Sequence, residues 1–333
     1  LGLAVQPQFQ ITADGKDVTA AIQSRFISLT WHDEGGARSD TLSIQIDDRP
    51  ERDGVYIEIP RKGVVLELSL GYDGTLTSVG KFIVDETNPS GFPEKLEIKA
   101  HAADMQKAFV KEKKSRGFEQ ITIANLVATI AAEHGLTAKV ATSLASEVIS
   151  RIDQAGESDS HLLTRIAKER GAVQKVAYGH LLFVPKGEAK SVSGKVLPIV
   201  RLHRTDLSSW NATLADRERY NQVTARWYDK ALAKEHQIHA GSGKPIFSIR
   251  RVYADAAGAQ KAADARLKAL QAGTGFIDIE TDGDVTLVSE AEVVLSGMRP
   301  GLNGSWVCDS VDHTLAKNSG WKAAGKLEKK SKK

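Results

Sequence analysis

Gly80-Lys81-Phe82-Ile83-Val84-Asp85 and Gly304-Ser305-Trp306-Val307-Cys308-Asp309 share one pattern: glycine, any residue, an aromatic, two apolar residues and aspartate. Each follows an apolar run, Val64 to Leu70 and Ala291 to Leu295, and a glycine-containing turn. A hairpin entering a strand has this form. Its recurrence near the far end of the chain suggests an internal duplication, with two similar β-domains flanking the material between them.

Period two dominates the chain around the first copy. Leu42, Ile44 and Ile46 alternate with Thr41, Ser43 and Gln45, and Leu66, Leu68 and Leu70 with Val65, Glu67 and Ser69. Leu96, Ile98 and Ala100 alternate in the same way with Lys95, Glu97 and Lys99. Successive strand residues point to opposite faces, so these runs predict half-buried strands whose apolar stripes share one core. Asp14-Gly15, Asp53-Gly54 and Asp73-Gly74 are turn signals at short spacing, which favours antiparallel pairing into a small barrel or sandwich.

From about residue 103 the period becomes helical. Ile123, Leu126, Val127 and Ile130 predict a helix stopped by Gly135, and Leu162, Leu163 and Ile166 a second, N-capped by Ser158, begun by Asp159 and stopped by Gly171. Val173 to Val184 reads as a hairpin, and a Gly, Ser and Lys-rich stretch from Lys186 to Lys195 follows it. Strand patterns return with Val223, Ala225 and Trp227, are interrupted by an alanine-rich helix over 254–272, and resume at Phe276–Glu280, Val285–Val288, Glu292–Leu295 and Ser305–Thr314. The expected fold class is mainly β with an α+β insertion: two related antiparallel β-domains plus a small α+β domain. The boundaries fall at 1–102 for the first β-domain, 103–190 for the α+β domain, 191–328 for the second β-domain with helix 254–272 inserted, and 329–333 for a basic tail.

Composition bounds the function. The 333 residues exceed one typical domain, and 41% hydrophobic with 26% charged residues is ordinary globular composition. Lys plus Arg total 45 against 42 for Asp plus Glu, too small a surplus for a general nucleic-acid footprint. The closing lysines, Lys326 to Lys333, read as a solvated terminus whose charge reversal leaves assembly intact. Cys308, the single cysteine, excludes an intrachain disulfide framework and reads as a small hydrophobe in a strand. No run approaches a spanning helix, so no membrane anchor is expected.

Motifs for chemistry are sparse. His236 and His239 lack the His-Glu-x-x-His order and a third ligand, and read as solvated loop residues beside Gly241-Ser242-Gly243. Gly241-Ser242-Gly243-Lys244 is followed by Pro245 where a P-loop needs Ser or Thr, so it reads as a flexible linker. Asp47-Asp48 and Asp282-Gly283-Asp284 sit beside strand ends, where aspartate serves turns by accepting from nearby amides. No Gly-x-Ser-x-Gly elbow occurs, no Cys-His pair has supporting local sequence, and no catalytic, cofactor or metal residues are assigned. Aromatics make up 6% and are not interleaved with basic residues, so no single-strand nucleic-acid platform is indicated.

Several segments together resemble the late control protein D family of phage baseplate hub proteins. Asp14-Gly15-Lys16-Asp17-Val18-Thr19, Phe26-Ile27-Ser28-Leu29, Leu68-Ser69-Leu70-Gly71-Tyr72 and the Gly80–Glu86 segment match its first β-domain. Ala100-His101-Ala102-Ala103-Asp104-Met105, Ile130–Leu136 and Gln154–Leu163 echo its middle, and Pro300–Trp306 with Val311-Asp312-His313-Thr314-Leu315 match its end. Order and spacing over roughly residues 5 to 328 carry the likeness. The resemblance implies two tube-type β-barrels per chain and a homotrimeric ring joining a hexameric tail tube, or a tube-initiator protein, to a trimeric spike. The family is also similar to the N-terminal part of type VI secretion spike proteins. No spike or lysozyme region follows the second β-domain, so a separate spike protein is implied. DNA passes through the lumen without specific binding, and the ring belongs to the tail baseplate of a virion or phage-like particle assembled in the host bacterial cytoplasm. Two other functions compete: a tail-associated peptidoglycan hydrolase with Glu157 or Glu280 as acid, and a carbohydrate-binding module using Trp210 or Trp227.

Overall fold

The computed structural model describes residues 6–36, 39–50, 54–102, 107–177, 179–186, 197–214, 220–272 and 275–329. The first repeat runs β1 (Pro7–Ala13), β2 (Lys16–Asp17), α1 (Thr19–Arg25), β3 (Phe26–Glu34), β4 (Thr41–Asp47), β5 (Val65–Tyr72), β6 (Thr75–Ser90) and β7 (Lys95–Ala102). The middle comprises α2 (Lys107–Lys111), β8 (Lys113–Thr122), α3 (Ile123–Glu133), β9 (Thr137–Val140), α4 (Thr142–Ala145), β10 (Val148–Ser158), α5 (Asp159–Lys168), β11 (Ala172–Ala177) and β12 (His180–Pro185). The remainder runs β13 (Val200–His203), β14 (Leu207–Leu214), β15 (Gln222–Asp229), β16 (Lys234–Gly241), β17 (Ile246–Tyr253), α6 (Ala256–Ala272), β18 (Gly275–Asp282), β19 (Glu292–Ser296), β20 (Gly304–Ala316) and β21 (Gly320–Lys329).

The duplication is written in the topology. The first repeat orders its strands β3-β4-β7-β6-β5-β1 and the second β14-β18-β21-β20-β19-β13, the same sequence of chain positions. Registers correspond as well: Leu68 faces Gly80 and Leu66 faces Phe82, as Leu295 faces Gly304 and Val293 faces Trp306. The β6–β7 ladder slips at Asp85 and the β20–β21 ladder at Asp309; β3–β4 slips at Ile27 and β14–β18 at Ser208. A bulge sets local bend and twist, so coincident bulges mean that both sheets curl alike. The shared six-residue pattern acquires a physical meaning here. Gly80 and Gly304 have φ of 155° and 115°, which a side chain would strain, Phe82 and Trp306 fill the two cores at 1% exposure each, and the aspartates are the bulge residues. One departure is that β1 runs antiparallel to β5 whereas β13 runs parallel to β19.

Each repeat rolls into a barrel-like sheet around its own core. The predicted stripes Leu42, Ile44 and Ile46, then Leu66, Leu68 and Leu70, then Leu96, Ile98 and Ala100, are all buried in the first. Ile277, Ile279, Val293, Leu295, Trp306 and Cys308 build the second. Leu315 and Trp321 belong to the first core although they come from β20 and β21, so the repeats share apolar packing. Asp14-Gly15 and Asp73-Gly74 form the expected two-residue hairpin connections. Of the closing run expected as a solvated terminus, Lys326–Lys329 instead end β21, paired with β20 because Leu327 is drawn into the second core; Asp53, residues 187–196 and Lys330–Lys333 lie outside the described residues.

Between the repeats, β8 and β10 pair antiparallel, and a β11–β12 hairpin takes β9 as a parallel neighbour. Helices α3 and α5 cover a core of Leu126, Val127, Ile130, Leu162, Leu163 and Ile166. Both begin on side-chain caps: Thr122 accepts from Asn125 N, and Ser158 accepts from His161 N at 3.3 Å.

Two expectations for the second half are corrected. Residues 222–253 do not join the second barrel; β16-β15-β17 form a separate sheet with α6 across it and a core of Val223, Ala225, Ala240, Tyr253, Ala259, Ala262 and Ala263. Period two marks a strand but not the sheet it joins, and the small alanines let α6 approach β15 closely. The insertion is therefore a sheet plus helix rather than a helix alone. It meets the middle region through Lys261–Glu147 at 3.0 Å, an Arg251–Glu169 pair and Ser150 donating to Asp255. Val285–Val288 is a turn rather than a strand, because Asp284 Oδ1 accepts from Thr286 N at 2.8 Å and folds the chain back locally. Among the described residues no helix is long and apolar enough to cross a membrane.

Candidate interaction face shared by the two repeats

The two barrel sheets fuse where β20 pairs antiparallel with β3, Ser310–Ala316 against Ser28–Glu34. Gly35 N donates to Asp309 O at one end of this seam and Lys317 N to Ile27 O at the other. The result is one antiparallel band, β14-β18-β21-β20-β3-β4-β7-β6. Opposed residues lie on the same face of a sheet. Asp282, Lys322, Thr314, Thr30, Ser43, Lys99 and Glu86 oppose one another in turn, so an unbroken polar row crosses seven strands and both repeats.

Side chains on this face hold one another. Lys322 Nζ bonds Asp282 at 2.7 Å, Lys99 Nζ bonds Glu86 at 3.1 Å, and Ser43 Oγ donates to Glu97 at 2.9 Å. At the seam Thr30 and Thr314 hydroxyls lie 3.4 Å apart, and His32 lies 2.7 Å from both Asp312 and Glu34. Burial works against charge on His32, but these carboxylates outweigh it and raise the imidazole pKa. The opposite face carries the apolar stripes of both cores, with buried His313 (Nε2 2.9 Å from Leu287 O) among them, and its charged groups gather where the repeats meet the middle region.

There, Asp33 of β3 is buried and accepts from Ser289 N and Ser289 Oγ, both at 2.8 Å, and from Lys175 Nζ of β11 at 2.8 Å. Lys175 also reaches Asp40 at 3.3 Å and Glu34 O at 3.1 Å. One lysine thus ties the first repeat, the second repeat and the middle region together. Desolvation alone would raise the Asp33 pKa; the Lys175 charge reverses the shift and lowers it. No motif in the sequence marks this site. Lys175 stands in an ordinary alternating hairpin, and its partners are 142 and 114 residues away.

The residues weighed for chemistry are dispersed. His236 and His239 lie in β16, not in a loop, and three-residue spacing on a strand turns them to opposite faces. His236 stacks on Trp227 at 5.0 Å and His239 lies 3.0 Å from Thr224 Oγ1. Gly241-Ser242-Gly243-Lys244 is a fixed connection rather than a flexible linker. Asn221 N donates to Pro245 O, Asn221 Nδ2 donates to Lys244 O at 2.6 Å, and a Cβ on Gly241 would sit 2.3 Å from Asn221 O. Asp47 accepts from Arg49 and caps a strand end, its carboxyl held down at about 2 by that guanidinium. Glu157 is bonded by Arg165 at 2.5 Å and His161 at 3.0 Å, whereas Glu280 stands on the polar face of β18. Trp210 and Trp227 belong to different sheets. Cys308 is fully buried, and desolvation raises its thiol pKa.

A second buried network lies in the middle region. Glu133, His134 and Asp159 bring ligand-type atoms within 4.8 Å of one another. Lys114 and Arg116 already take the positions a cation would occupy: Lys114 Nζ is 2.7 Å from both carboxylates, and Arg116 is 2.8 Å from Asp159. Burial pushes the Asp159 carboxyl up, yet bonds from Lys114, His134 and Gln154 outweigh it and hold the pKa down at about 2. A depressed carboxylate stabilises fully above its unfolded value and is lost as pH falls through its folded value. We expect Asp159→Asn to lower stability by about 2 kcal/mol at neutral pH. Urea titrations at several pH values should show the deficit shrinking between about pH 4 and about pH 2; a pH-independent deficit would refute the charge account.

Comparison with known proteins places this architecture. Residues 73–319 match the family model described as phage tail baseplate hub (GPD). The chain is 33% identical to a probable baseplate hub protein of Escherichia phage 186, over 99% of this chain and 94% of that one. The chain belongs to the phage tail baseplate hub family. A second relative, the probable baseplate hub protein of Escherichia phage P2, is 30% identical over 98% of this chain and 94% of that one. Among solved structures, the hub chain is similar to the 43 kDa tail protein of prophage MuSo2 from Shewanella oneidensis, with a TM-score of 0.73 and 17% identity over 96% of this chain and 98% of that one. It also matches an E. coli component of the type VI secretion system, itself described as similar to the T4 tail proteins gp27 and gp5, with a TM-score of 0.57 and 11% identity over 99% of this chain and 76% of that one. At these identities the structures establish a shared fold.

Proposed function

We propose that the chain is a structural, non-catalytic hub, a homotrimeric ring that joins the hexameric tube of a contractile tail to its trimeric spike. The observation that supports this reading is the head-to-tail seam between two equivalent blocks, β14-β18-β21-β20 and β3-β4-β7-β6. One chain supplies two such blocks, so three chains supply six. Such a ring presents an approximate sixfold face to the tube and a strict threefold face to the spike.

In this ring the polar face lines the channel. Carboxylates such as Asp278, Asp282, Asp312 and Glu97 are interspersed with lysines, a surface that passes DNA without the dense phosphate contacts that would hold it. The proposed units are a first barrel over 1–102, an α+β domain over 103–190 and a second barrel over 191–328 into which 222–272 is inserted. Its partners are further copies of itself, a separate spike protein and a tube or tube-initiator protein, in a tail baseplate assembled in the host cytoplasm.

Light scattering of the purified chain, with and without a candidate spike, tests the reading. A stable species near three times 36.0 kDa is expected. A persistent monomer at every concentration, indifferent to every spike tried, would sink the ring.

A further inference from the structure

Resting on the hub reading, we infer that protomers join by antiparallel pairing of β14 with residues 86–90 of β6 in the next copy, in the register of the internal β20–β3 seam. Both edges are open. Among the described residues β14 pairs with β18 alone, and the ladder of β6 with β5 ends at Val65–Ile83, beyond which Val84 exchanges bonds with Gly63 and Val64 and no backbone bond reaches that edge at residues 86–90. In the second repeat the pairing of β20 with β19 ends at Glu292–Val307, and β3 occupies the edge beyond it from Ser310 onward. Registers and bulges correspond between the blocks β3-β4-β7-β6 and β14-β18-β21-β20. The counterpart of the filled β20 edge is therefore the empty β6 edge, and the counterpart of β3 is β14.

The correspondence fixes residues. Asn88 and Ser90 stand where Asp312 and Thr314 do, and Thr213 and Asn211 where His32 and Thr30 do. Asn88 thus opposes Thr213 and Ser90 opposes Asn211, each replacing a polar contact of the internal seam with another polar pair. On the other face, Pro89 opposes Ala212 where His313 stacks on Trp31 at 4.7 Å. Thr87 opposes Leu214, which is 57% exposed in the single chain.

Hydrogen bonding follows the same rule. The bonds Gly35 N to Asp309 O and Lys317 N to Ile27 O put hydrogen-bonded pairs at the odd positions of β3, including Trp31–His313. Pro89 falls on such a position without an N–H, so the seam between copies has one donor fewer than the seam within a chain. Before assembly, a proline on an open edge also discourages pairing with the wrong strand. The interface is heterologous: each copy offers one β14 and one β6, so only a closed ring leaves no open end.

Asn88–Thr213 and Ser90–Asn211 are the non-hydrogen-bonded pairs, with Cα atoms about 4.5 Å apart, within disulfide range. The test is oxidation of the full chain carrying Asn88→Cys with Thr213→Cys, and separately Ser90→Cys with Asn211→Cys. The out-of-register pair Asn88→Cys with Asn211→Cys is the control, and the native thiol Cys308 is fully buried. Non-reducing denaturing gels should show linked dimers and trimers for both in-register pairs and none for the control. A trimeric mass with no linkage in either pair would overturn the seam and leave the hub reading intact. Linkage of the control pair alone would overturn the register. A monomer without linkage at every concentration, with or without spike, would overturn both.

Discussion

Leu68→Asp is expected to leave almost no folded hub protein. Leu68 is fully buried between Ile11 of β1 and Gly80 of β6, in the middle of the first barrel core. Truncating a leucine at such a site costs about 2–5 kcal/mol. A buried carboxylate without a partner adds several more, because no cation in the core can offset its lost hydration. Against a folding margin of about 5–15 kcal/mol, that sum removes most or all of the native state. Ser69→Asp, one residue away and half-buried on the opposite face, should change stability by only about 0.5 kcal/mol. Soluble yield and thermal melting followed by circular dichroism would compare the two. A Leu68→Asp protein that melts like wild type would refute the placement of this stripe in a core.

Lys175→Met should be the most costly single change outside the apolar cores. Among the described residues it removes the only cation bonded to Asp33, and it leaves a second carboxylate, Asp40, close by. Even with the lysine present, burial and the charge of Asp33 push the Asp40 carboxyl up to about 7. Breaking a buried pair typically costs about 3–5 kcal/mol, and the lysine side chain keeps 20% exposure, so about 3 kcal/mol is expected. Asp33→Asn in the same background should recover part of the loss, since it discharges the stranded partner. The deficit should also depend on pH. Without the lysine, the folded state raises the carboxyl pKa values above their unfolded ones, so folding then favours protonation and the deficit diminishes as pH falls from 8 toward 5. Denaturant midpoints across that range would show it, and a variant within about 0.5 kcal/mol of wild type at pH 8 would argue that this lysine ties nothing together.

Legibility from the sequence followed the range of each interaction. The Leu66-Leu68-Leu70 stripe, the cap at Ser158 and the Asp73-Gly74 turn depend on neighbours within a few residues, and each appears where the pattern put it. The Val285–Val288 segment failed because an aspartate turn overrode an apolar alternation. His236 and His239 were misplaced because the glycines after them resemble a loop, while their own stretch pairs along the whole of β15. The Asp33–Lys175–Ser289 tie has no local signature whatever: three polar residues in three unremarkable segments become a site only when the chain brings them together.

The amino-acid sequence by itself determined that this protein is a β-rich, duplicated chain with an α+β interruption, since side-chain periodicity and turn chemistry are properties of adjacent residues. Its family resemblance, borne by ordered segments along nearly the whole chain, was also legible there. Tertiary structure alone decided that the two repeats fuse through β20 and β3, that 222–272 folds as a separate layer, and that one polar face spans eight strands. Strand partners are chosen by edges and cores far apart in the chain, and the period of a strand is the same whichever edge it meets.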